Sequence, residues 1–252
     1  MRRSFYFLFL FSCFLPSALN ANSYTVYAIG EAYGLKDEED LLYRETYCTD
    51  GDADKNLVIY QDKQGQLLAR KQLDYVSGPF TPSFVQQNFY SDEIIEVDLQ
   101  DDAVRMAVFK NDRSSVKRAS EEPADQTITL VIDAGFDRFV RQHWDELLND
   151  KGKTFLFAFV DNLKLLELRI QRAECSYSSE NDQCFHLELS NWLFRLLAAP
   201  IELGYDPVTK NLSRYRGLSN IGDGNGNGNG LVVDIRYDYQ IDSDSISGSI
   251  CG

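Results

Sequence analysis

The chain has only two histidines, His143 and His186, far apart in sequence, and its cysteines form no Cys-x2-Cys pair. Structural zinc needs such ligands clustered at short spacing, so no zinc site is indicated and no cofactor is expected. A serine nucleophile needs a histidine base and a sharp turn. Gly217-Leu218-Ser219-Asn220-Ile221 lacks the second glycine of the Gly-x-Ser-x-Gly elbow. Basic residues are scarce as well: 25 Lys and Arg against 39 Asp and Glu leave a net charge of −14. Such a surface repels nucleic acid and anionic headgroups, so no nucleic-acid partner is expected, while it serves solubility. There is no Pro/Ser-rich linker and no internal repeat, so residues 22–252 read as a single β-rich domain.

No apolar run reaches the ~20 residues of a membrane span, so no transmembrane segment is expected in the mature chain. The longest run is Phe5 to Leu15, stopped by Pro16, preceded by Arg2-Arg3 and followed by small residues up to Ala21. That pattern predicts a secretory signal over residues 1–21 and a periplasmic or secreted protein. A competing reading takes Leu10-Phe11-Ser12-Cys13 as a lipobox with Cys13 as lipid anchor. Phe11 fits that motif poorly, and further apolar residues follow the cysteine. Removing residues 1–21 takes away Arg2 and Arg3 and no acid, so 23 basic against 39 acidic side chains leave −16. Four cysteines remain, Cys48, Cys175, Cys184 and Cys251, an even number that suggests two disulfides in an exported chain. Three connectivities are possible. The polar stretch between Cys175 and Cys184 reads as a loop joining two strands, which favours that pair and leaves Cys48 with Cys251.

Period-two alternation dominates the mature chain. Leu166, Leu168 and Ile170 oppose Glu167, Arg169 and Gln171. Phe185, Leu187 and Leu189 oppose His186, Glu188 and Ser190. Val233, Ile235, Tyr237 and Tyr239 oppose Asp234, Arg236 and Asp238. Further strands are expected at 24–33, 41–48, 56–61, 67–75, 93–99, 103–109 and 127–132. Turn signals separate them at Asp50-Gly51, Asp62 to Gly65, Gln100 to Asp102 and Asp206-Pro207. Thr154 to Val160 is apolar on both faces and predicts a central strand covered on both sides. One helix is expected over 133–149, capped by Asp133. Phe136, Phe139, Val140, Trp144, Leu147 and Leu148 form its apolar stripe. A second short helix is predicted from Asn191 to Ala199. The fold class is mainly β: an antiparallel meander forming a curved sheet or part-closed barrel, with the amphipathic helix packed on it.

Candidate sites carry simpler readings beside them. Asp223, Asn225, Asn227 and Asp234 match the spacing of an EF-hand calcium loop. Only two of them are charged, however, and a strand follows rather than a helix. A hairpin loop of Asn-Gly steps is the preferred reading. Acid runs at 37–40, Glu93 with Glu96, Asp101-Asp102 and Glu121-Glu122 raise the idea of a hydrolase with paired carboxylates, but runs in turns are usually a solvated surface. Tyr24, Tyr27, Tyr33, Tyr43, Tyr47 and Tyr60 could line a groove or simply serve as strand residues.

Two passages, Leu41-Leu42-Tyr43-Arg44-Glu45 and the late hairpin from Ile201 to Leu212 with its Asp206-Pro207-Val208-Thr209 turn, are similar to bacterial envelope proteins. The chain resembles the periplasmic lipoprotein-carrier half-barrels and their DUF3108-like relatives. That resemblance implies an unclosed sheet with a helix across its concave face and an apolar crevice between them. Phe136, Phe139, Trp144, Phe155, Phe157 and Phe159 are the expected lining, unless they simply fill a core. It also implies a non-enzymatic protein holding a lipid or other apolar molecule. An envelope module that docks a protein partner remains the alternative.

Overall fold

In the computed structural model, which describes residues 24–35, 39–52, 54–149, 152–178, 181–191, 200–222, 230–241 and 250–251, the alternating segments become strands of one sheet. The first meander runs Thr25–Gly34 (β1), Leu41–Thr49 (β2), Lys55–Asp62 (β3), Leu67–Asp74 (β4), Ser83–Asn88 (β5), Glu93–Gln100 (β6), Ala103–Lys110 (β7) and Val116–Glu121 (β8). The chain resumes at Leu130–Val131 (β9) and passes through the helices Gly135–Gln142 (α1) and Trp144–Leu148 (α2). It continues as Lys153–Phe159 (β10), Lys164–Ala173 (β11), Gln183–Leu189 (β12), Ile201–Tyr205 (β13), Leu212–Gly222 (β14) and Gly230–Asp238 (β15). β15 pairs with β1, which fuses the two meanders into a 15-stranded sheet with β8 at one edge and β9 at the other. Neighbours are antiparallel except for β9 with β10.

Connectivity forces the sheet to curve. Glu121 and Leu130 end and begin strands at opposite edges, yet nine peptide steps separate them, a reach of about 31 Å at full extension. A flat sheet of this many strands would be roughly 65 Å wide at the usual interstrand spacing. The edges therefore approach: β8 lies beside β11, and β7 beside the 3-10 turn Val160–Asn162. The sheet remains unclosed because β8 and β9 do not pair. Short turns hold the meander. Asp101 and Asp102 both take positive φ, 51° and 63°, as a two-residue hairpin of type I′ requires. Asp206 accepts hydrogen bonds from the backbone N–H of Val208 (2.9 Å) and Thr209 (2.6 Å), which fixes the Asp-Pro turn.

Two apolar clusters gather on the concave side. One gathers Tyr43, Tyr60, Leu73, Phe84, Val97, Met106 and Ile235 from the first meander and β15. The other packs Phe139, Val140, Trp144 and Leu147 of the helices on Phe155, Ile170, Phe185, Leu203 and Tyr205. A small third cluster surrounds the Cys48–Cys251 disulfide, with Leu57 and Ile59. The second disulfide joins Cys175 and Cys184.

Several details depart from expectation. β5 escapes the alternation pattern because two of its buried positions are Gln86 and Asn88. β8 escapes it because an edge strand with Lys117 and Arg118 has little to bury. Of 127–132, only Leu130 and Val131 are strand. The 154–160 segment is not central: β10 is next to the edge. Its two faces are covered all the same, Phe155 in the helix cluster and Ala158 in the first-meander cluster, because the rolled sheet brings its edge against the opposite half. The helix breaks at His143 into α1 and α2. Asp133 does not cap it: Ala134 holds the cap position without a side-chain bond. Asp133 accepts from Lys71 at 2.7 Å, which gives the buried ammonium its counter-ion, while its Oδ1 accepts from the adjoining Ala134 N–H at 2.8 Å. The helix expected at 191–199 falls almost wholly outside the described residues.

Candidate functional site

Strand alternation points a set of polar side chains into the curve of the sheet. β2 sends Tyr43, Glu45 and Tyr47 inward, β3 Val58 and Tyr60, β4 Ala69, Lys71 and Leu73, and β5 Phe84, Gln86 and Asn88. β1 runs between β2 and β15 and contributes Ala28, Gly30 and Ala32, all small. A Cβ on Gly30 would lie 2.8 Å from Tyr237 Cε1 and 3.0 Å from Ile235 Cγ2. Gly30 pairs with Glu45 on one side and Tyr237 on the other. The gap it leaves lets Tyr47 and Tyr237 meet across β1 edge to face, with ring centroids 6.0 Å apart.

Glu45 sits at the centre of this floor and is 4% exposed. Its Oε2 accepts from the Tyr47 hydroxyl at 2.5 Å and from the Tyr237 hydroxyl at 3.4 Å. Burial raises its carboxyl above the ordinary carboxylate range, and the tyrosine hydrogen bonds and the Lys71 charge offset only part of that. Burial likewise lifts Tyr43, Tyr47, Tyr60 and Tyr237 well above the usual phenol value, so they stay neutral donors. Lys71 is 2% exposed; its Nζ pairs with Asp133 and stands 5.0 Å from the centre of the Phe84 ring. Gln86 donates to Asn88 (2.7 Å) and to the Asn220 carbonyl (3.3 Å). These groups border a cleft of about 1830 Å³, whose other walls include Phe136 of α1, Phe157 and Phe159 of β10, and Leu166 and Leu168 of β11. A cleft of that size exceeds the ~300–1,000 Å³ usual for small-molecule pockets.

The six aromatic residues expected to line a crevice divide into two groups. Phe136, Phe157 and Phe159 border the cleft. Phe139, Trp144 and Phe155 are buried in the helix cluster: Phe139 packs on Phe155 with centroids 4.9 Å apart, and Trp144 meets Phe185 at 5.5 Å. Of the six tyrosines, Tyr27, Tyr47 and Tyr60 reach the cleft and Tyr43 is buried in the core beneath it. Tyr24 packs beside the Cys48–Cys251 disulfide, and Tyr33 bonds Glu31 under Arg236. Three positions of the calcium-loop reading, Asp223, Asn225 and Asn227, lie outside the described residues. The fourth, Asp234, is fully buried on the other face of the sheet, where Arg214, Arg216 and Arg236 surround it.

The residues weighed for acyl chemistry lie apart. Ser219 shares a hydrogen bond with the Tyr43 hydroxyl at 2.6 Å and accepts from the Ile221 backbone at 2.9 Å. His143 sits between α1 and α2 with Lys153 Nζ at 2.8 Å, and His186 faces Glu202 and Gln171 across the sheet. Among the acid runs, Glu93 pairs with Lys110 at 3.2 Å, and Asp101-Asp102 forms a turn tip. Sequence reasoning passed over Glu45, Lys71, Gln86 and Asn88. Their signal was present: each falls in phase with inward-facing apolar neighbours, as Lys71 does between Ala69 and Leu73. No protein-family model matches the chain, and no curated protein matches it.

Proposed function

We propose that this chain is an exported, non-enzymatic protein that binds an apolar or amphipathic small molecule in the curve of its sheet. The observation that carries this reading is the cleft of about 1830 Å³, with phenylalanine and leucine on one wall and a hydrogen-bonding floor opposite. A site of that kind takes an apolar body and orients it by a polar end. Placement outside the cytoplasm is supported by the signal-like residues 1–21 and by the two disulfides, which persist where the milieu is oxidising. The likeness to periplasmic carriers points the same way.

Native mass spectrometry of the protein purified from its own cell envelope, followed by denaturing extraction, tests this reading. A stoichiometric apolar adduct that is released on unfolding is the expected result. An unliganded mass, together with no uptake of a fluorescent apolar probe by the folded protein, would overturn it and direct attention to a protein partner.

A further inference from the structure

The buried acids of this protein are neutralised in different ways. Glu202 has Arg216 at 3.7 Å, Asp234 has three arginines, and the partly buried Asp133 has Lys71 at 2.7 Å. Glu45 has no lysine, arginine or histidine within ion-pairing distance among the described residues, and its hydrogen-bond partners are phenol hydroxyls. The groups facing it are Tyr43 and Tyr47 from β2, Tyr60 from β3, Tyr215 from β14 and Tyr237 from β15. The nearest cation, Lys71 on β4, is already engaged with Asp133. Glu45, Tyr47, Tyr60, Tyr215 and Tyr237 all border the cleft.

This is an acid ringed by electron-rich aromatic groups and open to a cavity. An anionic head would be repelled by the Glu45 carboxylate. A neutral head would gain hydrogen bonds only. A cation gains the carboxylate, whose burial limits screening by water, beside a cluster of tyrosine rings. We propose that the floor around Glu45 is a receptor for an organic ammonium group, with the apolar chain of the same molecule lying along Phe136, Phe157 and Phe159. The inference rests on the reading that the cleft holds a ligand, and it names the class of that ligand as a cationic amphiphile. Where Glu45 carries a proton in the empty protein, the arriving cation displaces it: the O–H bond breaks, the proton passes to the buffer, and the carboxylate stays as counter-ion. Affinity for the cation therefore rises as pH rises through the range in which Glu45 ionises.

Calorimetric titration of the mature protein with octyltrimethylammonium, 1-octanol and octanoate, in about 0.3 M salt to screen the acidic surface, tests this. The cation is expected to bind about tenfold tighter than the alcohol. Glu45→Gln should abolish that preference. If Glu45→Gln fails to fold, Glu45→Asp, which keeps the charge but withdraws it by one methylene, should weaken the cation alone. Alcohol or octanoate binding as tightly as the cation, or a preference that survives loss of Glu45, would overturn the ammonium assignment and leave the cleft reading standing. Failure of all three probes to bind the folded protein would overturn both.

Discussion

The helix-bearing half of the sheet and the tyrosine-lined half follow the same inward–outward alternation, yet they enclose different things. On β10 to β13 the inward positions are Phe155, Ile170, Phe185, Leu203 and Tyr205, and α1 and α2 press Phe139, Trp144 and Leu147 onto them. On β2 to β5 the inward positions include Glu45, Lys71, Gln86 and Asn88, all buried, and a cleft lies above them. A strand's period sets which side chains point inward, but not whether they meet packing or space. Apolar side chains under a helix make a close-packed core. Polar ones must satisfy one another, and here they do so through Lys71–Asp133, Gln86–Asn88, Tyr43–Ser219 and Glu45–Tyr47.

This contrast can be broken at three places. The largest effect is expected in the filled half. Phe139→Ala removes a fully buried ring packed against Phe80, Phe155 and His143, and should cost about 4 kcal/mol by urea denaturation. A loss below about 1 kcal/mol would mean that this half collapses around the gap and is not close-packed.

In the open half, Lys71→Met leaves Asp133 partly buried without its ammonium and should cost about 3 kcal/mol. Adding Asp133→Asn should recover a large part of that, since the coupling lies between the two charges; asparagine also tolerates the left-handed φ of 43° at this position. Simple additivity of the two losses would show that Lys71 acts by packing over Phe84 and not as a charge.

The smallest effect is the pH dependence of Glu45. Burial raises its carboxyl in the folded chain, so over an interval of pH the folded state keeps a proton that the unfolded state has lost. The stability this group contributes is complete below the unfolded value of about 4.3 and falls as pH rises through the folded value. Glu45→Gln removes that fall. The stability of the variant relative to the native chain should be flat at acid pH and then rise, by about 1.4 kcal/mol for each unit separating the two values. A pH-independent difference would show that Glu45 ionises over the same range of pH in the folded and unfolded chain, so that burial leaves its carboxyl unshifted.

Much of the fold was legible because its signals are local. Val233, Ile235 and Tyr237 alternate with charged residues, and Asp101-Asp102 marks a turn. The stripe from Phe136 to Leu148 marks helix, although the break at His143 leaves no trace in that stripe. The site was only half legible. Phe136, Phe157 and Phe159 were read as lining, but nothing in their spacing separates them from Phe139, Trp144 and Phe155, which a helix and three strands close over. Glu45 and Lys71 were passed over because, one at a time, they are ordinary charged residues of a strand. Only their phase with Tyr43 and Leu73 marks them as inward, and only partners distant in sequence (Tyr237 and Asp133) explain how they are held there.

By itself the sequence determined most of the strands, most of the turns, the amphipathic helical stretch and a strongly acidic chain, since each depends on neighbours a few residues apart. Once β15 pairs with β1, nine peptide steps must join opposite edges of a wide sheet, and curvature follows. The tertiary structure alone decided that β15 closes on β1, that Gly30 makes room for Tyr47 to meet Tyr237, and that Asp133 pairs with Lys71. Those outcomes depend on atoms brought together from strands up to two hundred residues apart, where the cost of a buried charge or an unfilled space is settled by what lies opposite, which no local pattern records.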